Sequence, residues 1–233
     1  MSSLKVFPSS TTEFWHGARD ELPVLLGVAP FGMIFGALAL STGLPAGIAQ
    51  AMSMIVFAGS SQFIAVQLMG AGVPALVIFL TGVVVNLRHA LYSASIAPHL
   101  QHLSPSWRSG LAYLLTDEAY AITIHHYNDQ THPIEKKHWY FLGAGLTLWV
   151  CWQISTALGI FVGTILPSSI PLDFTLPLVF IALVVPSLRD KPAILAAIVS
   201  GVFSVVFFGL PYKLGMLLAA IIGMGVGLWL EKK

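Results

Sequence analysis

The chain has 233 residues, of which 56% are hydrophobic and only 9% charged, with 11 Lys+Arg, 10 Asp+Glu and one cysteine, Cys151. Ordinary soluble domains carry about 25% charge, so neither a disordered chain nor a soluble domain with a charged surface fits. The single cysteine excludes a disulfide scaffold within the chain, and a net charge of +1 leaves no basic field for nucleic acid.

Residues 1–18 are polar and mixed, and read as a tail ahead of one transmembrane domain over 19–233. They lack the basic start and apolar core of a secretory signal. After Glu21 no charge occurs for 66 residues, until Arg88. Further charge-free runs cover 138–172, 192–212 and 214–230. A helix needs about 20 apolar residues to cross the hydrocarbon layer. The pattern predicts an all-α polytopic membrane protein with eight transmembrane helices, or alternatively seven. A β-barrel is excluded because runs such as Pro74–Val85 do not alternate.

The expected spans are 22–42, 47–69, 73–97, 109–127, 139–166, 174–187, 192–209 and 213–230. Eight spans put Lys5, Arg19, Lys136, Lys137, Arg189, Lys191, Lys232 and Lys233 on one side, and only Arg108 and Lys213 on the other. The positive-inside rule then places both termini in the cytoplasm. Omitting span 4 weakens the bias and gives the seven-span alternative. Span 6 is short and carries Pro177, while span 1 carries Pro23 and Pro30. Leu22-Pro23-Val24-Leu25 and Pro30 echo Leu176-Pro177-Leu178-Val179 and Pro186. Proline-interrupted segments at matching places in two halves are a mark of inverted-repeat transporters; proline kinks that serve packing alone are the alternative. Spans 1, 2 and 6 are therefore candidates for discontinuous helices.

Polar groups at membrane depth are costly, and each needs a reason. Asn86, Arg88 and His89 follow the apolar run 75–85, and Asp117 and Glu118 lie near the middle of span 4. Three unpaired charges would cost roughly 8–10 kcal/mol on insertion scales. Arg88 is therefore expected to pair with Asp117 or Glu118 across spans 3 and 4, either lining a polar path or fixing helix packing at the interface. His89 can exchange a proton near neutral pH. Gly59-Ser60-Ser61-Gln62 in span 2 and Pro30-Phe31-Gly32 in span 1 read as local breaks that expose backbone groups to a substrate, or as helix contacts. Phe31, Phe35 and Phe63 are candidates for an apolar pocket. The Gly-x-x-x-Gly pairs Gly32/Gly36, Gly159/Gly163 and Gly223/Gly227 read as packing faces.

Other chemistries find little support. His125, His126, His132 and His138 surround one polar loop without zincin spacing, and read as a solvated loop rather than a metal site. His89 and His102 suggest haem ligands only if Pro98 does not end the helix between them. Ser60 or Ser61 with His89 lacks the Gly-x-Ser-x-Gly elbow of a hydrolase. No enzyme, metal or cofactor is expected. No phosphate-binding Gly-x-x-x-x-Gly-Lys-Ser/Thr loop is present, so the chain does not hydrolyse ATP itself.

Glu21-Leu22-Pro23, Pro30-Phe31-Gly32, Gly59-Ser60-Ser61-Gln62-Phe63, Asn86-Leu87-Arg88-His89 and Thr116-Asp117-Glu118 follow one another along the chain. In that order and spacing they resemble the AzlC family, the large subunit of bacterial branched-chain amino-acid exporters. The resemblance covers roughly residues 15–230 and is densest over 20–120. It implies export of valine, leucine, isoleucine and methionine across the inner membrane, coupled to the proton-motive force. It also implies a small AzlD-type membrane partner. Combined with the residue reading, it makes Pro30, Phe31, Gly32, Gly59, Ser60, Ser61, Gln62 and Asn86 substrate-binding candidates. Arg88, His89, Asp117 and Glu118 become candidates for proton coupling. A channel or a non-transporting assembly subunit is the competing class.

Overall fold

A computed structural model describes residues 9–128, 136–165, 188, 190–211 and 214–231. Among these residues there are nine helices: α1 Ser10–Ser41, α2 Ala46–Ile55, α3 Gly59–Gly70, α4 Ala75–Leu100, α5 Pro105–Tyr113, α6 Asp117–Asn128, α7 Lys137–Ile165, α8 Lys191–Val206 and α9 Leu214–Glu231. Four of them, α1, α4, α7 and α9, are long and apolar enough to cross a membrane, while α2 and α8 are shorter apolar helices. The described residues of Met1–Phe63 and Val85–Ile165 form one compact unit, and those of Ile64–Val84 and Leu166–Lys233 a second.

The first unit is built on α1 and α7. Both are rich in small residues along one face, which lets their backbones touch. A Cβ at Gly17 would overlap the Tyr140 carbonyl, and one at Gly143 the Phe14 carbonyl. The same holds further along for Gly36 against Thr156 and Gly159 against Met33. Positions rise together on the two helices, so α1 and α7 run parallel in contact from end to end. Glu13, Gly17, Ala18 and Glu21 are buried on this face, so α1 begins within the stretch that the sequence marks as a polar tail. The opposite surfaces carry Leu26, Phe161 and Ile165, which are exposed as lipid-facing residues would be.

Two expected spans are not straight. Span 2 is broken at Val56–Ala58 into α2 and α3. Ten residues of straight helix would separate Met52 and Gln62 by about 15 Å, yet Gln62 Nε2 donates to the Met52 carbonyl at 3.3 Å. The chain therefore folds back on itself. Span 4, expected as one helix, is broken at Leu114–Thr116 into α5 and α6. Trp107 on α5 packs on Trp139, with ring centroids 5.1 Å apart, and His126 on α6 stacks on Tyr140 at 3.8 Å. Both ends of 105–128 thus lie at the start of α7. Between them, Tyr113 bonds Trp149, which is about 13 Å further along that helix. Each segment is a helical hairpin that enters and leaves on one side.

The hairpins enter from opposite ends. The first follows directly from the C-terminus of α1, with its tip at Gly59 against Trp152. The second enters beside the N-terminus of α7. Between them α4 runs parallel to α6, as Arg88–Asp117, Tyr92–Tyr120 and His99–Tyr127 show, and hence opposite to α1. A long helix followed by a broken hairpin thus occurs twice in inverted orientation.

Three further expectations change. α1 continues through Pro23 and Pro30, so no break exists at Pro30–Gly32. Pro30 is exposed, and lipid-facing carbonyls freed by proline can be accommodated by local adjustment. α4 continues through Pro98 to Leu100, because a proline in the last turn sacrifices only one hydrogen bond. His126 and His138 are not loop residues: His126 lies on α6 and His138 is buried at the start of α7. Span 6 and His132 fall outside the described residues. In the second unit α8 and α9 pack antiparallel, with Gly215 against Phe207 and Gly223 against Ser200 and Ala196.

Candidate functional site

The two hairpin tips meet near the middle of α7. Tyr113, which ends α5, donates its hydroxyl to the Met54 carbonyl near the end of α2 and accepts from Trp149 Nε1 at 2.7 Å. Phe57 packs on the same ring. The breaks themselves have local causes. Gly59 gives α3 a start where a Cβ would press on the Trp152 ring at 3.0 Å. Thr116 caps α6, its Oγ1 accepting from Ala119 N at 3.3 Å.

Two half-helix N-termini therefore converge here, with amides that have no partner inside their own helix. Arg88 of α4 bridges them. Its Nη1 lies 2.7 Å from Asp117 Oδ2, and Nη2 donates to Ser60 Oγ at 3.1 Å. Of the two carboxylates offered by the sequence, Asp117 is the one that pairs. The Arg88 and Asp117 side chains are 33% and 36% exposed, so the pair is only partly enclosed by the protein. Arg88 Nε and Asp117 Oδ1 have no hydrogen-bond partner among the described residues. Asp117 and Glu118 occupy the first turn of α6 rather than the middle of a helix, where the helix dipole favours negative charge.

Ser61 donates to Asn86 Oδ1 at 2.7 Å, which joins α3 to α4 beside the Arg88 bridge. Gln62 is fully buried and its Oε1 has no hydrogen-bond partner among the described residues. Behind it, Phe35 meets Phe63 edge-on at 5.9 Å and stacks on Trp152 at 6.3 Å, which forms an apolar wall. His89 meets Tyr92 in a T-shaped contact at 6.0 Å, with both Arg88 and Asp117 within electrostatic reach.

Gly59, Ser60, Ser61, Gln62, Asn86, Arg88, Asp117 and Glu118 are thus brought together around the tips. Pro30, Phe31 and Gly32 are not. Gly32 packs against Ser155 and Trp152, which is a helix contact. An apolar groove of about 490 Å³, lined by Trp107, Tyr113 and Trp149 among others, opens on the second hairpin and holds no charged side chain.

Sequence reasoning missed three polar features. Gln50 and Ser53 of α2 bond Gln153 and Thr156 of α7, at 3.0 Å and 3.1 Å. The signal was a polar pair at i, i+3 in each of two apolar helices. Glu13, fully buried, lies 3.0 Å from His126 Nε2. Glu21, also fully buried, is within electrostatic reach of Glu118.

Comparison with known proteins gives a consistent family. The family model described as AzlC protein matches residues 23–166. The chain is 29% identical to Inner membrane protein YgaZ of Escherichia coli (strain K12), covering 88% of this chain and 85% of that protein. It is 28% identical to an uncharacterized membrane protein of Archaeoglobus fulgidus, covering 95% and 97%. It is 26% identical to the Branched-chain amino acid transport protein AzlC of Bacillus subtilis (strain 168), covering 85% and 80%. No solved structure matches the chain.

Proposed function

Since the chain belongs to the AzlC family, a family of membrane transport proteins, we propose that it is a permease subunit exporting branched-chain amino acids. Valine, leucine, isoleucine and methionine are its substrates, the proton-motive force drives it, and a small AzlD-type membrane subunit works with it. The observation that carries this reading is the convergence of two hairpin tips on Arg88. An amino acid offers a carboxylate, an ammonium and an apolar side chain. The α3 N-terminus at Gly59–Ser61 and the Ser60 hydroxyl suit the carboxylate. Asp117 suits the ammonium. The Phe35–Phe63–Trp152 wall suits a branched apolar side chain.

The hairpin geometry also supports an orientation. Arg19, Arg108, Lys136 and Lys137 all lie toward the end where α7 begins, and the turn at 42–45 carries no charge. By the positive-inside rule that end faces the cytoplasm, in the inner membrane.

Counterflow of labelled valine, leucine, isoleucine and methionine in proteoliposomes, with and without the small subunit, tests the function. Saturable counterflow with the partner present is the expected result. Its absence with folded protein overturns the reading, and a flux that rises linearly with concentration makes the protein a channel.

A further inference from the structure

Glu21 sits on α1 one turn beyond Gly17, on the face that packs against α7 and α6. Its side chain has no exposure, and neither carboxyl oxygen has a hydrogen-bond partner among the described residues. An ionised carboxylate in such a place loses its hydration and gains nothing in return. The surrounding groups do not relieve it. From α6, Glu118 is within electrostatic reach and carries the same charge. From α7, Tyr140 is within reach, but its hydroxyl is committed to Asp20 at 2.7 Å. Arg88 is held by Asp117 at 2.7 Å.

We infer that Glu21 is a buried carboxyl that carries an exchangeable proton, and that it is the coupling group of the transport cycle. The inference rests on the transport reading above and adds to it the site where the driving ion resides. The proton is bound from water on one side of the membrane and released to water on the other. One O–H bond breaks and one forms, and the electrons stay where they are. Glu118, within electrostatic reach of Glu21, stands in the first turn of α6 next to Asp117, so the charge state of Glu21 is felt at the hairpin tip.

Two measurements separate this inference from the transport reading. The first is infrared spectroscopy of the purified protein in lipid. A protonated-carboxyl stretch is expected near neutral pH, lost on alkaline titration, and absent in Glu21→Gln. An unchanged band in that variant overturns the inference, whether or not the protein transports. The second uses proteoliposomes. Glu21→Gln is expected to keep labelled-valine counterflow within about twofold, and to lose at least about tenfold of the uptake driven by an imposed pH gradient. Gradient-driven uptake at the wild-type level overturns the inference while leaving the transport reading intact. A wild-type protein that depends on sodium instead, with no carboxyl band, also overturns it. Should Glu21→Gln be recovered unfolded, Glu118→Gln decides the matter. Removing the negative charge within reach of Glu21 should move loss of the band to lower pH, and an unmoved titration overturns the inference.

Discussion

Arg88 ends the charge-free run of 66 residues, and its guanidinium reaches two hairpins at once. Exchanging the partners, Arg88→Asp with Asp117→Arg, restores an ion pair but moves the guanidinium off Ser60. The double variant should be recovered near the wild-type level, while its valine counterflow stays at least about tenfold lower. Recovery of both would reduce the pair to a packing device. Glu13→Ala removes the carboxylate that His126 Nε2 meets at 3.0 Å, and losing a hydrogen bond to a charged group costs about 1.5–3 kcal/mol. Its thermal midpoint should fall clearly below that of the wild type. The Arg88 contact was legible in the sequence because a lone charge at membrane depth demands a partner. Glu21 was not, because it stands at the border of the apolar run, where a carboxylate ordinarily meets water. Only the packing of α6 and α7 over it reveals that it is buried.

Helix identity and helix continuity were legible to different degrees. Apolar length gave α1, α4, α7, α8 and α9, since length is what the bilayer selects. The hairpins were half legible. Gly59 and the hydroxyls after it marked a break in span 2, which the structure places at Val56–Ala58. The break in span 4 carries neither Gly nor Pro, and its cause is the Thr116 cap with two acids behind it. Thr116→Ala should therefore loosen the second tip, at a cost of about 1 kcal/mol. Hydrogen exchange should quicken over the first turn of α6 and stay unchanged over α7. The prolines misled in the other direction, because a lipid-facing kink needs no break in the helix. The glycines of α1 and α7 act as contacts. Gly159→Val drives a side chain into the Met33 carbonyl and should lower stability by about 1–3 kcal/mol, whereas Gly47→Ala meets open space and should not.

Across the whole molecule, the distinction between a crossing and a hairpin can be read by chemistry. If 105–128 crossed the membrane, its two ends would lie on opposite sides. As a hairpin it keeps them together. On a Cys151→Ala background, Ser104→Cys and Lys136→Cys should both react with an impermeant thiol reagent added to inside-out vesicles, and neither in right-side-out cells. Labelling from opposite sides would restore the straight span. The hairpin also removes one of two exceptions: Arg108 now lies with Lys136 and Lys137 rather than with Lys213 on the far side.

The second hairpin also bears on how the protein is made. A helix of 9 residues and one of 12 that begins with two acids cannot be retained by lipid as the chain emerges. The groups that receive it are supplied by α1 and by α7, and α7 is synthesised after it. The segment must wait at the membrane surface until residue 165 has been inserted, then enter sideways between helices already in place. The arginine-centred cluster at the hairpin tips is thus the last part of this unit to be assembled, and a chain cut short before α7 would keep α1 and α4 but never acquire it.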